Sequence, residues 1–287
     1  MDKIYEIHET DENYPQNLLK LRNHPKKLYV MGNPKILNNK SVAMVGSRDN
    51  TSYGEYYASK FSKILSKSGI TVVSGLAIGI DGICHENAMR EKGKTIAVIG
   101  SGFNNMYPPE NIELSKQIIA NGGAIVSEYP PEKAVDLSNF PARNRIIAGI
   151  AQCTIVVEAK FRSGSSITAR HSFKQGKEVF CIPGRIGDKT GKGTNNLIKK
   201  GAKLLVDINE VLNMLGEENI IIQKEEIKVE KQYENIYKLI QKKQMNINEI
   251  ARDLKMNIAE LNMKLTMMEI EGLIEIIPGN IIRVKEN

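Results

Sequence analysis

The chain has 287 residues, 41% hydrophobic and 25% charged, an ordinary globular usage that excludes wholesale disorder and leaves room for one large core plus a small module. No apolar run approaches the ~18 residues needed to cross a bilayer. The opening MDKIYEIHETDENYP has no apolar core for a signal peptide, so a cytoplasmic location without membrane contact is expected. The net charge of +7 invites an acidic partner.

Residues 1–40 read as a short lead-in. From residue 41 onward, short apolar runs alternate with helical stretches. SVAMVGS, ITVVSG, KTIAVIG, GAIVSE, CTIVVEA, EVFCIPG and AKLLVD have the β-branched, continuous character of strands buried on both faces. Between them GEYYASKFSKILSKSG, IDGICHENAMREKG, ENIELSKQIIANG, ARNRIIAGIAQ, SSITARHSFKQG and TNNLIKKG predict helices, most ending at a glycine. Such an alternation predicts a doubly wound, mostly parallel α/β sheet over 41–216. Residues 217–232, including IIIQKEEIKVEKQ, read as a linker. Residues 233–287 then carry three amphipathic helical patterns and two short strands around Pro-Gly-Asn, the pattern of a small winged-helix-like domain.

Charge is unevenly spread. From Lys224 onward 11 Lys/Arg balance 11 Asp/Glu, whereas residues 141–203 hold 13 Lys/Arg against three acids. Like charges so concentrated disfavour a compact state unless something offsets them.

Ligands on doubly wound sheets bind beyond the C-terminal strand ends, where strand order reverses. The loops expected there are GSR (46–48), SGLAIGID (74–81), GSGF (100–103), FRSGSS (161–166) and PGRIG (183–187). Glycines at such ends either turn the chain or let backbone N–H groups approach a phosphate; several together, three with arginines, favour an anion-binding rim. FPARNRIIAGIAQ is the most informative piece. Its apolar half should anchor a helix whose first turn carries Arg143, Asn144 and Arg145, against the macrodipole, so a counter-anion is required. Asp136 is the only acid in the few preceding residues. A phosphate backbone would serve, with Phe140 as a stacking face for a base.

Several chemistries are excluded or disfavoured. VGSRDNTSYG lacks G-x-G-x-x-G, Ser74-Gly75 stands where a ribose-binding acid would end the second strand, and there is no P-loop, so no nucleotide cofactor is expected. Asp81 and His85 are four apart on one helix, a possible metal pair, but no third ligand is evident; a helix N-cap and a packing histidine are the favoured reading, and no metal is expected. Cys84, Cys153 and Cys181 are expected to be buried and reduced. No Ser/His/Asp, Cys/His or acid/base constellation stands out, so no catalytic residue is assigned.

GSR…YG, SGLAIGID…H…A, TIAVIGSG…YP, NG…SEYP, FPARNRIIAGIA, SGSSITA, GKEVFCIPG and GTNNLIKKGA, in this order over about residues 14–212, resemble the DNA-processing protein A (DprA/Smf) family. The resemblance implies an extended Rossmann-like domain that binds single-stranded DNA, forms homodimers, protects incoming DNA and loads RecA recombinase onto it in natural transformation, without being an enzyme. It implies DNA-binding positions at Gly46, Ser47 and Arg48, at Ser74 and Gly75, at Phe140, Arg143, Asn144 and Arg145, and at Ser163, Gly164 and Ser165. The alternative is a nucleotide phosphoribohydrolase of the lysine-decarboxylase-like type, but the corresponding loop, FRSGSSITARHS, lacks the glutamate of its P-G-G-x-G-T-x-x-E signature. A duplex-binding regulator acting through the C-terminal module is a third reading, opposed by that module's neutral charge; a partner or dimer surface fits it equally well.

Overall fold

Strands buried on both faces need no polar alternation, and six of the predicted runs show the consequence: they form strands without one exposed position. The structure is a computed structural model and describes residues 3–217, 229–230, 232–271 and 273–284. In chain order the first unit contains β1 (Ile4–His8), α1 (Gln16–Leu19), β2 (Lys27–Gly32), β3 (Ser41–Val45), α2 (Ser52–Lys67), β4 (Thr71–Ser74), α3 (Ile80–Arg90) and β5 (Thr95–Ile99). It continues with α4 (Ile112–Ala120), β6 (Ala124–Ser127), α5 (Asn139–Ile150), β7 (Cys153–Val156), α6 (Gly164–Lys174), β8 (Val179–Cys181), α7 (Gly191–Lys199), β9 (Lys203–Leu204) and α8 (Asn209–Met214).

One sheet of nine strands runs β1-β2-β6-β5-β4-β3-β7-β8-β9. β3 through β9 pair in parallel among themselves. Chain order runs one way from β3 to β6 and the other way from β7 to β9, so the switch point lies between β3 and β7, where Val45 is opposite Val156. Alternate residues feed opposite cores, Ala43 and Val45 on the side of α5 and α6, Val42 and Met44 on the side of α2 and α3.

The lead-in is more than an approach to the sheet. β1 and β2 form an antiparallel extension, with β2 paired to β6. Tyr14, Leu18, Leu28 and Val30 are fully buried in the same core as Ile146 and Ile150 of α5. α1 crosses α5 at Gly149, where a Cβ would stand 2.3 Å from Leu18 Cδ1. That close approach anchors the helix bearing the predicted arginines.

The chain divides into two compact units between residues 220 and 221. In the second, α9 (Glu234–Lys242), α10 (Ile247–Asp253) and α11 (Ile258–Ile270) pack on a small sheet of β10 (Met245–Asn246), β12 (Ile281–Val284) and β11 (Ile274–Ile277). Its core joins Ile236, Ile250, Leu261, Leu265 and Ile282. Asn246 and Glu249 form a reciprocal capping box at the start of α10. The β11–β12 turn uses positive φ at Gly279 and Asn280, residue types suited to that region. The expected linker at 217–232 falls mostly outside the described residues.

Candidate nucleic-acid interface

Gly46 follows β3 because no side chain fits there: a Cβ would lie 2.5 Å from Ile80 Cγ1. Gly79, at φ +84°, answers from the next loop, where a Cβ would meet the Ser47 carbonyl oxygen at 2.5 Å. The Ile80 N–H donates to that oxygen at 3.1 Å. Ser47 is buried and its hydroxyl donates to the Asp49 carbonyl at 3.0 Å. Two strand-end loops thus lie backbone against backbone, and Arg48 is turned out to solvent. Among the described residues no carboxylate pairs with Arg48.

The N-terminus of α2 is already occupied. Thr51 caps it, accepting from the Gly54 N–H at 3.3 Å. The buried Glu158 carboxylate accepts from the Thr51 N–H at 3.0 Å and the Thr51 hydroxyl at 2.5 Å. An internal carboxylate therefore occupies the start of this helix, a position that favours an anion.

The arginines of α5 also depart from the expected open row. The helix begins at Asn139, so Arg143 and Arg145 lie in its second turn. Arg143 is 5% exposed. Its Nη1 donates to the Gly75 carbonyl at 2.7 Å and to the Val98 carbonyl; its Nε donates to Asn144 Oδ1 at 3.1 Å. The Gly75 N–H donates to Asp81 Oδ2 at 3.1 Å, so one glycine bridges a buried cation and a buried carboxylate. Burial lowers the Arg143 pKa to about 10, with Asp81 opposing. Burial raises that of Asp81, with Arg143 opposing. Asn144 is buried too, donating to the Gly164 carbonyl at 3.2 Å. Arg145 is held by Glu128, Nη2 to Oε1 at 2.6 Å. The missing counter-anions are protein carboxylates, brought from the start of α3 and from the loop after β6.

A pocket of about 40 Å³ opens on this edge, several times the volume one water needs. Arg48 lines it from the loop after β3; Gly75, Ala77 and Ile78 from the loop after β4; Tyr107 and Pro108 from the loop after β5; Phe140 and Arg143 from α5. The rings of Phe140 and Tyr107 stand 5.6 Å apart at 39°. Phe140 lies so close to Gly100 that a Cβ there would meet its Cδ1 at 2.9 Å. Tyr107, 40% exposed, was not among the expected site residues, although it stands in the TIAVIGSG…YP stretch that carries the family resemblance.

The other expected positions divide. The Ser74 hydroxyl is buried and donates to the Met44 carbonyl at 2.6 Å, a bond within the sheet. Ser163 caps α6, accepting from the Ser166 N–H, and shares a 2.8 Å hydroxyl contact with the buried Ser165. Gly164 is exposed beside them. This loop borders the Arg48 turn, since Lys160 pairs with Asp49 at 2.8 Å. Asp81 and His85 do not make a metal pair: Asp81 faces Gly75, while His85 Nδ1 lies 2.7 Å from Thr95 Oγ1. That hydroxyl donates to the Val72 carbonyl, so His85 is the donor to Thr95, and burial holds its pKa down to about 3. All three cysteines are buried and free.

Fold and pocket define a Rossmann-like protein whose switch-point edge offers an exposed arginine and two aromatic rings in place of a dinucleotide fingerprint, followed by a winged-helix unit. A family model described as DNA recombination-mediator protein A matches residues 6–216, and one described as DprA winged helix domain matches 224–280. The chain belongs to the DNA-processing protein A (DprA/Smf) family. It is 43% identical over 204 residues to protein Smf of Escherichia coli, covering 71% of this chain and 54% of that protein. It is 37% identical to DNA processing protein DprA of Bacillus subtilis, covering 74% and 71%. The chain spans only about half the length of some curated relatives it matches. The X-ray structure of DprA from Streptococcus pneumoniae aligns with a TM-score of 0.69 at 40% identity, covering 74% of each chain. A structure of DNA processing protein A from Helicobacter pylori, reported for its single-stranded DNA binding mode, aligns at 0.68 with 32% identity, covering 76% of this chain and 99% of that one.

Proposed function

We propose that this protein binds single-stranded DNA at the Arg48 pocket and acts as a recombination mediator, without catalytic turnover. The carrying observation is the pocket itself: an exposed guanidinium with no carboxylate partner among the described residues, beside two rings, at the edge where doubly wound sheets take ligands. Arg48 would hold a phosphate, and Phe140 with Tyr107 would take the adjoining base. The likeness to the Helicobacter pylori protein supports this reading. Arg143 lines the pocket as a buried floor rather than reaching for phosphate, Asn144 accepts from its Nε and ties α5 to Gly164, and Arg145 is engaged by Glu128. Gly46, Ser47, Ser74 and Gly75 set the loops, and the Ser163–Ser165 turn borders the site.

Under the same reading the chain acts as a homodimer in the cytoplasm and delivers the coated strand to RecA during transformation, residues 41–216 carrying the DNA and 233–287 a partner surface. A titration of oligothymidine against duplex of equal length at two salt concentrations tests it. Single-strand preference with affinity falling as salt rises is expected; duplex preference would overturn it. Release of free base from nucleoside monophosphates at enzymatic rates would favour a hydrolase instead.

A further inference from the structure

The loop after β7 holds a feature that the pocket does not use. Phe161 is 56% exposed, and the Arg162 guanidinium carbon lies 5.3 Å from its ring centroid. Among the described residues Arg162 has no carboxylate partner. Arg162 adopts φ +58°, a left-handed conformation unfavourable for a side-chain-bearing residue by roughly 1 kcal/mol. Strain of this kind persists where the surroundings over-determine it and points toward a functional role.

Those surroundings can be named. Lys160, next to Phe161, is tied to Asp49, next to Arg48. Gly164, two residues beyond Arg162, is tied to Asn144, next to Arg143. The loop is therefore pinned at both ends to the two segments that supply the pocket's arginines. It emerges from β7, the strand beside β3 across the switch point. An aromatic ring backed by a cation and laid beside a phosphate site is the combination that single-strand grooves use for successive bases.

We infer that Phe161 and Arg162 form a second stacking platform, which takes an unpaired base of the same strand further along the rim from Phe140, with Arg162 also meeting the adjoining phosphate. This rests on the single-strand reading above and extends it across the switch point.

The chain contains no tryptophan, so Phe161→Trp places a lone indole reporter on the platform. A dye-labelled oligothymidine reports binding independently through its anisotropy. The expected result is quenching of the indole emission in step with the anisotropy rise, together with about tenfold weaker binding for Phe161→Ala. Phe161→Leu should be as weak as alanine, while Phe161→Tyr should restore affinity, which separates stacking from simple apolar cover. Anisotropy rising with the emission unchanged, and Phe161→Ala binding as tightly as the unaltered chain, would overturn this platform while leaving the Arg48 pocket standing. Quenching that survives Arg48→Ala at undiminished affinity would support the platform and remove the pocket. No binding of the oligonucleotide at all would overturn both.

Discussion

Arg143 and Asp81 converge on the same face of Gly75: a Cβ on that glycine would lie 2.9 Å from the Arg143 guanidinium and 2.7 Å from Asp81 Oδ2. Both side chains are buried and engaged by the same glycine. Removing Arg143 leaves a buried carboxylate without its countercharge and frees the carbonyls of Gly75 and Val98. Arg143→Met is expected to destabilise the first unit by about 3–5 kcal/mol, read as a lower urea midpoint. A midpoint within experimental error of the unaltered chain would show that this pair does not hold the pocket floor.

Arg48 should behave in the opposite way. It is exposed and has no carboxylate partner among the described residues, so Arg48→Ala should leave stability within about 0.5 kcal/mol while weakening single-strand binding for every sequence alike. Its lost phosphate contact should reduce the log–log salt slope by ~0.7. Adding Arg145→Ala should not reduce the slope further, because Glu128 already takes that charge. A second decrement of similar size would return Arg145 to the interface.

This division of labour marks where reading the sequence stops. The parallel strands were legible because burial on both faces writes itself as continuous apolar runs, as in Val42–Val45. β1 and β2 were not: IYEIH mixes charged with apolar positions, and its pairing to KLYVMG is antiparallel at a sheet edge. That Arg143 and Arg145 call for a counter-anion was legible, though from a first-turn position that the structure moves to the second turn. Its source was not, since Asp81 and Glu128 become neighbours only through folding. Tyr107 joins Phe140 for the same reason.

His85 makes the fold sensitive to acid. Its pKa falls from 6.5 to about 3 on burial, so between those values the unfolded chain binds the proton more readily than the folded one. Stability should therefore fall as pH drops below 6.5, by about 2 kcal/mol between pH 7 and pH 5 from this residue. His85→Leu should flatten that part of the stability–pH curve relative to the unaltered chain. An equal slope in both would mean that His85 is not the titrating group.

Lys177 closes the far end of the helix that carries Phe140. Its ammonium donates to the carbonyls of Ala148, Gly149 and Ala151 at 2.7, 2.8 and 2.6 Å. These groups end α5 without intrahelical partners. Lys177→Met keeps the stem and removes the donors, and should cost about 1–3 kcal/mol by chemical denaturation. Unchanged stability would mean that solvent satisfies these carbonyls equally well.

Gly100 offers a way to disturb the aromatic pair without touching a ligand. Because a Cβ there would stand 2.9 Å from Phe140 Cδ1, Gly100→Ala must push the ring away from Gly100 and change its 5.6 Å relation to Tyr107. Direct removal by Phe140→Ala should weaken oligothymidine binding by ~1–3 kcal/mol if the ring stacks on a base, and Gly100→Ala should lower affinity in the same direction by a smaller amount. An abasic strand keeps the phosphates but has no base to stack, so both variants should bind it as the unaltered chain does. Arg48→Ala should weaken both strands alike, since it acts through phosphate. Equal losses on normal and abasic strands for Phe140→Ala would mean that the ring shapes the phosphate site instead of holding a base.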